Sequence, residues 1–277
     1  MGKQRGTTKS GGQKHELDKF YTKPEVAAYF ISKSSLKSFT TIIEPSAGSG
    51  SFANKIKGCV AFDLAPESPN IIKQNWLDYN HSPVAGEKVL VIGNPPFGQQ
   101  NNLALKFINH AAKFAHQIAF ILPVSFKKES IQNRIDPQLH LIYQEDVPEN
   151  SFTLNGQDYN VRCVFQVWER VENKRIIPVR EALKENNLFR YVSKDDSPDA
   201  AIQRIGGRAG FATVNHESRS ASSNYFVQFL IPHNGADLET VIRELNAIDY
   251  ESRDYAVGPR SISKVELNKE INLRFSK

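Results

Sequence analysis

The chain has 277 residues, 40% apolar and 23% charged, which suits a globular protein of one large domain or one domain with an appendage. Lys and Arg outnumber Asp and Glu by 35 to 30, and the excess is local: residues 1–40 carry 8 and 3, residues 41–170 carry 11 and 12, and residues 171–277 carry 16 and 15. No apolar run reaches the ~20 residues of a membrane span. The opening residues lack the apolar core of a secretory signal. Two cysteines, Cys59 and Cys163, stand far apart on apolar runs and make neither a disulfide framework nor a Cys-rich zinc site. The expectation is a reducing compartment, cytoplasmic or nucleoid/nuclear and not secreted, with no membrane and no metal.

In chain order, residues 1–14 are rich in Gly, Ser, Thr and Lys, with no apolar side chain after Met1, and read as a disordered basic arm. Thr41–Glu44 is a β-branched run stopped by Pro45 and Gly48. Residues 51–57 read as a short helix and residues 59–63 (CVAFD) as a second buried strand. A short third strand is expected within 71–76. Residues 88–92 (KVLVI) form a fourth, stopped by Gly93, Asn94, Pro95 and Pro96. Apolar residues at 103, 104, 107, 108, 111 and 114 have helical spacing over 101–114. Residues 118–122 (IAFIL) are a fifth strand, 128–135 a short helix, and 139–143 and 161–167 two more strands. The segment 144–160 between the last two shows no helical pattern, so an antiparallel edge strand is expected. Continuous apolar strands alternating with helices predict an α/β fold: a Rossmann-like, doubly wound, mostly parallel seven-stranded sheet over residues 15–170. Residues 171–277 predict a small C-terminal α+β appendage, with a polar stretch at 215–223, a strand at 224–231 and a helix at 237–248 opened by Asp237. No internal repeat is present.

Two loops at strand ends carry the chemistry. Residues 44–52 (EPSAGSGSF) follow the first strand, where open α/β sheets bind ligands. Gly48 and Gly50 allow close backbone approach, but no Lys completes a P-loop, and G-x-G alone fits a plain tight turn equally well. Residues 94–98 (NPPFG) follow the fourth strand. Two prolines remove two N–H donors, leaving an Asn amide and backbone carbonyls as acceptors beside the Phe97 ring. That set suits a planar amine, whose protons the acceptors take while its ring stacks on the aromatic face.

Taken together, EPSAGSGSF and NPPF resemble motifs I and IV of class I S-adenosylmethionine-dependent amino methyltransferases, a family that includes the DNA adenine methyltransferases. Residues 20–24 (FYTKP) resemble motif X, and the order X, I, IV is similar to the gamma-type arrangement. The resemblance covers about residues 15–170. It implies S-adenosyl-L-methionine as cofactor and methyl transfer to the exocyclic N6 amine of adenine in nucleic acid, DNA favoured over RNA. It further implies that Phe20, Tyr21 and Thr22 contact the methionine end of the cofactor, and that Glu44, Pro45, Ser46, Ala47, Gly48, Gly50 and Phe52 wrap its amino acid and ribose. Asp63 would accept from the ribose hydroxyls. Asn75 and Trp76 stand where the family has an Asp and an aromatic beside the adenine ring, so the acceptor is kept without its charge, and Asp78 lies nearby. Asn94, Pro95, Pro96 and Phe97 would form the target-base site. Singly, Trp76 fits a core position, Asp63 a turn or cap, and Tyr21 packing on a sheet edge.

Three alternatives stay open. Asn-Pro-Pro-aromatic also occurs in enzymes that methylate a protein glutamine, but these usually carry a helical N-terminal domain, for which residues 1–40 are too short and basic. Cytosine N4 enzymes more often show Ser-Pro-Pro. A catalytically inactive nucleic-acid-binding subunit would keep the fold without turnover, and Asn75 is the one departure in that direction. For nucleic acid, Lys127 and Lys128 follow the fifth strand. Arg204 and Arg208 lie in RIGGRAGF, and Arg219 in the Ser-rich stretch. Arg with small polar residues and aromatics suits phosphate contact and stacking, and also a solvated loop. Deleting residues 1–14 is expected to flatten the salt dependence of nucleic-acid binding, followed by anisotropy across a KCl series, while leaving cofactor binding intact. An unchanged slope would return the affinity to Arg204, Arg208 and Arg219.

Overall fold

The computed structural model describes residues 20–82, 84–177, 185–230, 237–256 and 258–275, so the basic arm and the last residue of the strand expected at 224–231 lie outside the described residues. The elements up to the main sheet's last strand are β1 (Tyr21–Thr22), α1 (Pro24–Ser32), β2 (Thr41–Glu44), β3 (Val60–Asp63), β4 (Ile72–Lys73), β5 (Val89–Gly93), α2 (Asn102–Ala111), β6 (Gln117–Pro123), α3 (Glu129–Gln132), β7 (Leu139–Asp146), β8 (Phe152–Leu154), β9 (Gln157–Tyr159) and β10 (Cys163–Arg170). They are followed by β11 (Phe189–Val192), β12 (Ala200–Gln203), β13 (Ala212–Thr213), β14 (Asn224–Phe229), α4 (Leu238–Asn246) and α5 (Lys264–Phe275).

The main sheet has seven strands in the order β4-β3-β2-β5-β6-β10-β7. The pairs β2–β3, β2–β5, β3–β4 and β5–β6 are parallel. This is the α/β, mostly parallel sheet expected. Its strands feed two cores in strict alternation. Ile118, Phe120 and Leu122 of β6 point to the face covered by Ala104, Leu105 and Ile108 of α2, and Ala119 and Ile121 point to the face covered by Ala27 and Phe30 of α1 with Phe52 and Ile56. Apolar residues at every position of a strand buried on both faces explain the continuous runs in the sequence.

Two expectations are corrected. The antiparallel strand is not at the edge. It is β10, inserted between β6 and β7 and antiparallel to both, while β7 is the edge strand. The burial patterns carry the reason: six successive residues of β10 are buried, as an interior strand requires, whereas β7 alternates half-buried and exposed positions. Residues 51–57 form only a short 3-10 turn, Ala53–Lys55. Flanked by glycines, this stretch is too short to nucleate a stable α-helix, and its Phe52 and Ile56 are held by the sheet instead.

The helix-free segment between β7 and β10 contains the β8–β9 hairpin, to which β1 adds as a third strand. Its turn is Asn155-Gly156, both left-handed (φ 51° and 76°), the pairing that matches the twist of a two-residue hairpin.

The C-terminal residues build a separate four-stranded antiparallel sheet, β11-β14-β12-β13, with α4 and α5 closing a second core around Phe189, Ile202, Val227, Leu245 and Ile271. It is tied to the main sheet by Lys128–Glu266 (3.0 Å) and Lys269–Glu129 (2.6 Å). In the main core, Phe165 of β10 is fully buried and stacked at 4.4 Å on Phe30 of α1. Phe165→Ala is expected to cost roughly 3–5 kcal/mol, read as a lower urea midpoint at unchanged slope.

Candidate functional site

The chain reverses direction across the sheet between β2 and β5, which are hydrogen-bonded neighbours although other strands intervene in sequence. Loops leaving the carboxyl ends of two such strands diverge and open a crevice. Here one loop begins at Pro45 and the other at Asn94.

The first loop is held from behind. Asp63, at the end of β3, accepts from the Gly48 N–H (2.8 Å) and the Ala65 N–H (2.8 Å). Gly48 is left-handed (φ +53°), and a Cβ there would lie 3.2 Å from the Tyr21 ring, so glycine answers both the turn and the close approach. The Tyr21 hydroxyl donates to Glu67. Burial and that carboxylate push the tyrosine up to about 12, keeping it a neutral donor. Glu44 is 2% exposed and accepts from the Ala53 N–H (2.7 Å). Burial holds its carboxyl well above the ordinary carboxylate range.

The second loop is held by its own asparagine. Asn94 donates through Nδ2 to Thr22 Oγ1 (3.2 Å), and its backbone carbonyl accepts from Ser46 Oγ (3.1 Å). Its Oδ1 is buried with no hydrogen-bond partner. A buried acceptor without a donor costs about 1–3 kcal/mol, so a native protein that keeps one has a reason to. Phe97 tilts toward Phe20, with centroids 6.4 Å apart. Phe20 in turn stacks at 4.7 Å on Tyr159 of β9. Beyond Phe97, Gly98, Gln100 and Asn101 all have positive φ (66°, 51° and 64°), a left-handed stretch unusual for Gln. Asn101 Nδ2 anchors it to Ser125 Oγ at 2.7 Å.

Between the loops lies a cavity of about 1060 Å³, counting its open mouth. Among the residues expected to bind cofactor, Phe20, Tyr21, Thr22, Glu44, Pro45, Ser46, Ala47, Gly48, Phe52, Asp63, Asn75 and Trp76 line it, together with the whole Asn94–Phe97 stretch. Gly50 does not line it; its N–H closes the turn onto the Ala47 carbonyl (2.7 Å). Trp76 forms part of the wall from within the core, 1% exposed, with Nε1 donating to the Phe107 carbonyl (3.2 Å). Asn75 caps the following turn, accepting from the Leu77 N–H (3.2 Å) and donating to Asp78 (2.7 Å).

Ser51, Leu64, Gln74, Leu77, Leu103 and Phe107 also line the cavity and were not expected. Leu103 and Phe107 are four residues apart on α2 and read in sequence as core. Only their place beneath the β5 loop distinguishes them. Cys59 is raised by burial to about 12 and Cys163 is raised by burial as well, so both thiols stay protonated and unreactive at neutral pH.

The cations expected to meet nucleic acid are split. Lys127 pairs with Asp146 (2.6 Å) and lies over the Tyr255 ring, and Lys128 pairs with Glu266, so both are spent on internal ion pairs. Arg219 turns its Nε inward, where it has no partner. Arg204 and Arg208 lie over Tyr225 (5.5 Å) and Phe211 (3.5 Å). Among the described residues, no group of three or more His, Cys, Asp or Glu side chains is placed to hold a metal ion, and no helix is long and apolar enough to cross a membrane.

Residues 53–174 match the model of the EDM2 methyltransferase-like domain. The similarity is confined to that stretch, less than half of the chain. It runs from the turn after the glycine loop to just past β10, and so takes in Asp63, Asn75 and the Asn94–Phe97 loop. No curated protein matches the chain. Several solved structures overlap it in part. PH1948 of Pyrococcus horikoshii, provisionally described as an RNA methyltransferase, is 13% identical at a TM-score of 0.43, over 56% of this chain and 88% of that one. A protein of Thermoplasma acidophilum is 16% identical at 0.41, over 55% and 89%. The 23S rRNA methyltransferase ErmE is 13% identical at 0.41, over 60% and 76%.

The Glu44 shift has a definite sign. A carboxyl whose folded value lies above its unfolded value of about 4.5 contributes stability that is complete at lower pH and is lost as pH rises toward the folded value. Urea stability is therefore expected to fall from pH 5 to pH 8 in the native chain and to fall less in Glu44→Gln.

Proposed function

We propose that the chain transfers a methyl group from S-adenosyl-L-methionine to the exocyclic N6 amine of adenine in nucleic acid, DNA favoured over RNA. In this reading residues 15–170 are the transfer domain and 171–277 an appendage that helps hold the nucleic acid. The observation that carries the reading is the buried Oδ1 of Asn94, an acceptor with no donor, beside Phe97 at the crevice between β2 and β5.

The residues present fit the cofactor. Gly48 leaves open the space that a side chain would fill against Tyr21. Asp63 spends one hydrogen bond per oxygen on the loop backbone, and each oxygen keeps a lone pair for a hydroxyl. Phe20, Tyr21 and Thr22 line the cavity, as do Asn75 and Leu77. When bound, the cofactor supplies an electrophilic methyl carbon on a sulfonium.

The chain's own residues prepare the nucleophile. Asn94 Oδ1 and the Pro95 carbonyl accept hydrogen bonds from the two amine protons, one of which is lost to water after the methyl group has transferred. With both protons held, the nitrogen lone pair turns out of conjugation with the ring and becomes available for displacement. Phe97 carries the base by stacking. Because Thr22 and Ser46 hold Asn94 in advance, little reorganisation is needed at the moment of reaction, the form in which fixed dipoles help most. A base in a duplex would have to leave its stack to reach this depth.

A tritiated-methyl transfer screen over single- and double-stranded DNA and RNA, followed by nucleoside identification, tests the substrate. Label in cytosine or in a glutamine-containing peptide would replace the adenine assignment. Asn94→Ala and Phe97→Ala are each expected to lower the transfer rate on the order of 100-fold, with cofactor affinity by calorimetry unchanged within a few-fold. Full activity in both variants would sink the site assignment.

A further inference from the structure

The expected nucleic-acid lysines Lys127 and Lys128 are neutralised, whereas Arg190, Arg204, Arg208 and Lys264 of the C-terminal region have no carboxylate partner among the described residues. Lys264, at the start of α5, lies over the Tyr191 ring (4.1 Å) and the Tyr225 ring (5.6 Å). Arg204 lies over the same Tyr225 at 5.5 Å. On the other side of Lys264, Arg190 donates through Nε to Gln228 Oε1 (3.0 Å). Arg190, Tyr191, Ser193, Gln228 and Lys264 line one open groove of about 810 Å³, in which Asp196 is the lone carboxylate, itself accepting from the Ser193 N–H (3.1 Å).

The row continues past Arg204. Ile205 bridges to Ser261, the Gly206–Gly207 turn follows, and Arg208 lies 3.5 Å over the Phe211 ring. Ser261 in turn receives the Lys128 ammonium at 3.5 Å, directly after β6. Since β6 pairs in parallel with β5, whose end carries Asn94, the row reaches the carboxyl side of the sheet on which the crevice opens.

Lys264 and Arg204 crowd around one tyrosine, and the acid whose charge also reaches that ring, Glu266, is itself paired with Lys128. Burial and Arg204 both press the Lys264 ammonium toward its neutral form. A polyanion offsets that pressure. The aromatic rings already have a cation on one face, so a base would stack on the outer face of a flat guanidinium, for which Arg208 on Phe211 is best placed.

We infer that this row, from Arg190 and Lys264 through Arg204 to Arg208, is a track for a single-stranded segment of nucleic acid, with phosphates on Arg190 and Lys264 and a base on the Arg208–Phe211 pair. The inference rests on the nucleic-acid reading above and specifies which surface holds the strand.

The test uses the full chain and fluorescein-labelled single-stranded DNA, single-stranded RNA and duplex DNA, with anisotropy across a KCl series. The Arg190→Gln/Lys264→Gln double variant is expected to lose affinity for the single strand by about tenfold or more and to lower the log–log salt slope by about 1–2. Arg208→Ala, on an exposed turn, is expected to weaken the single strand more than the duplex. It decides the question should the double variant lose its thermal transition. Calorimetry with S-adenosylmethionine should be unchanged in both. Native affinity and slope in the variants, while the wild type binds the strand, would overturn the track alone. So would tighter wild-type binding to duplex with no effect of Arg208→Ala. A wild type that binds cofactor but none of the three nucleic acids would overturn the nucleic-acid reading and the track together. The DNA and RNA arms identify which backbone is preferred.

Discussion

The geometry of the crevice depends on how one asparagine is held. Asn94 donates through Nδ2 to Thr22 and accepts from Ser46 Oγ at its backbone carbonyl, so the entry segment, the glycine loop and the Pro-Pro loop are tied at one residue. In the bond to Thr22 the amide nitrogen is the donor. With Nδ2 committed, Oδ1 is left as a buried acceptor beside the cavity.

The same loops are braced by carboxylates that face inward. Asp63 accepts from the Gly48 N–H of the glycine loop and from the Ala65 N–H just past β3, and Glu44 accepts from the Ala53 N–H of the turn after the loop. These bonds substitute for the helix that the main chain does not form there. They keep the loop open at a width set by the spacing of β2 and β3 and not by a helix axis. The β8–β9 hairpin closes the other side. Its Tyr159 stacks on Phe20, and Lys23 pairs with Asp158 at 2.8 Å. The entry segment that lines the cavity is therefore braced by a hairpin more than a hundred residues further along the chain.

Much of this was legible in the residues. The interior strands β5, β6 and β10 were the plainest, because a strand buried on both faces is apolar nearly throughout, whereas the edge strands β4 and β7 carry exposed positions. The loops at 44–52 and 94–98 were legible for a related reason. Gly48 and the paired prolines are there for backbone geometry, and such residues have few substitutes. The burial contrast between β10 and β7 was also present in the sequence as a continuous run against an alternating one, yet it states only which strand is interior. Direction and neighbour come from pairing.

Cations were the least legible. Lys127, Lys128, Arg204 and Arg208 look alike in sequence, and a charge on a strand end or a glycine turn fits phosphate contact in every case. The fold separates them by bringing Asp146 and Glu266 to the lysines while leaving the arginines on aromatic rings. The same holds for Lys264 and Arg190, which carried no motif at all, and for Leu103 and Phe107, whose helical spacing marked them as core. By itself the sequence determined the sheet, its two faces and the two loops at its carboxyl edge, since these follow from local periodicity and backbone constraint. Which residues face the cavity, which charges stay unpaired and which acceptor stays empty were decided only by the tertiary structure, because each depends on a partner far away in the chain.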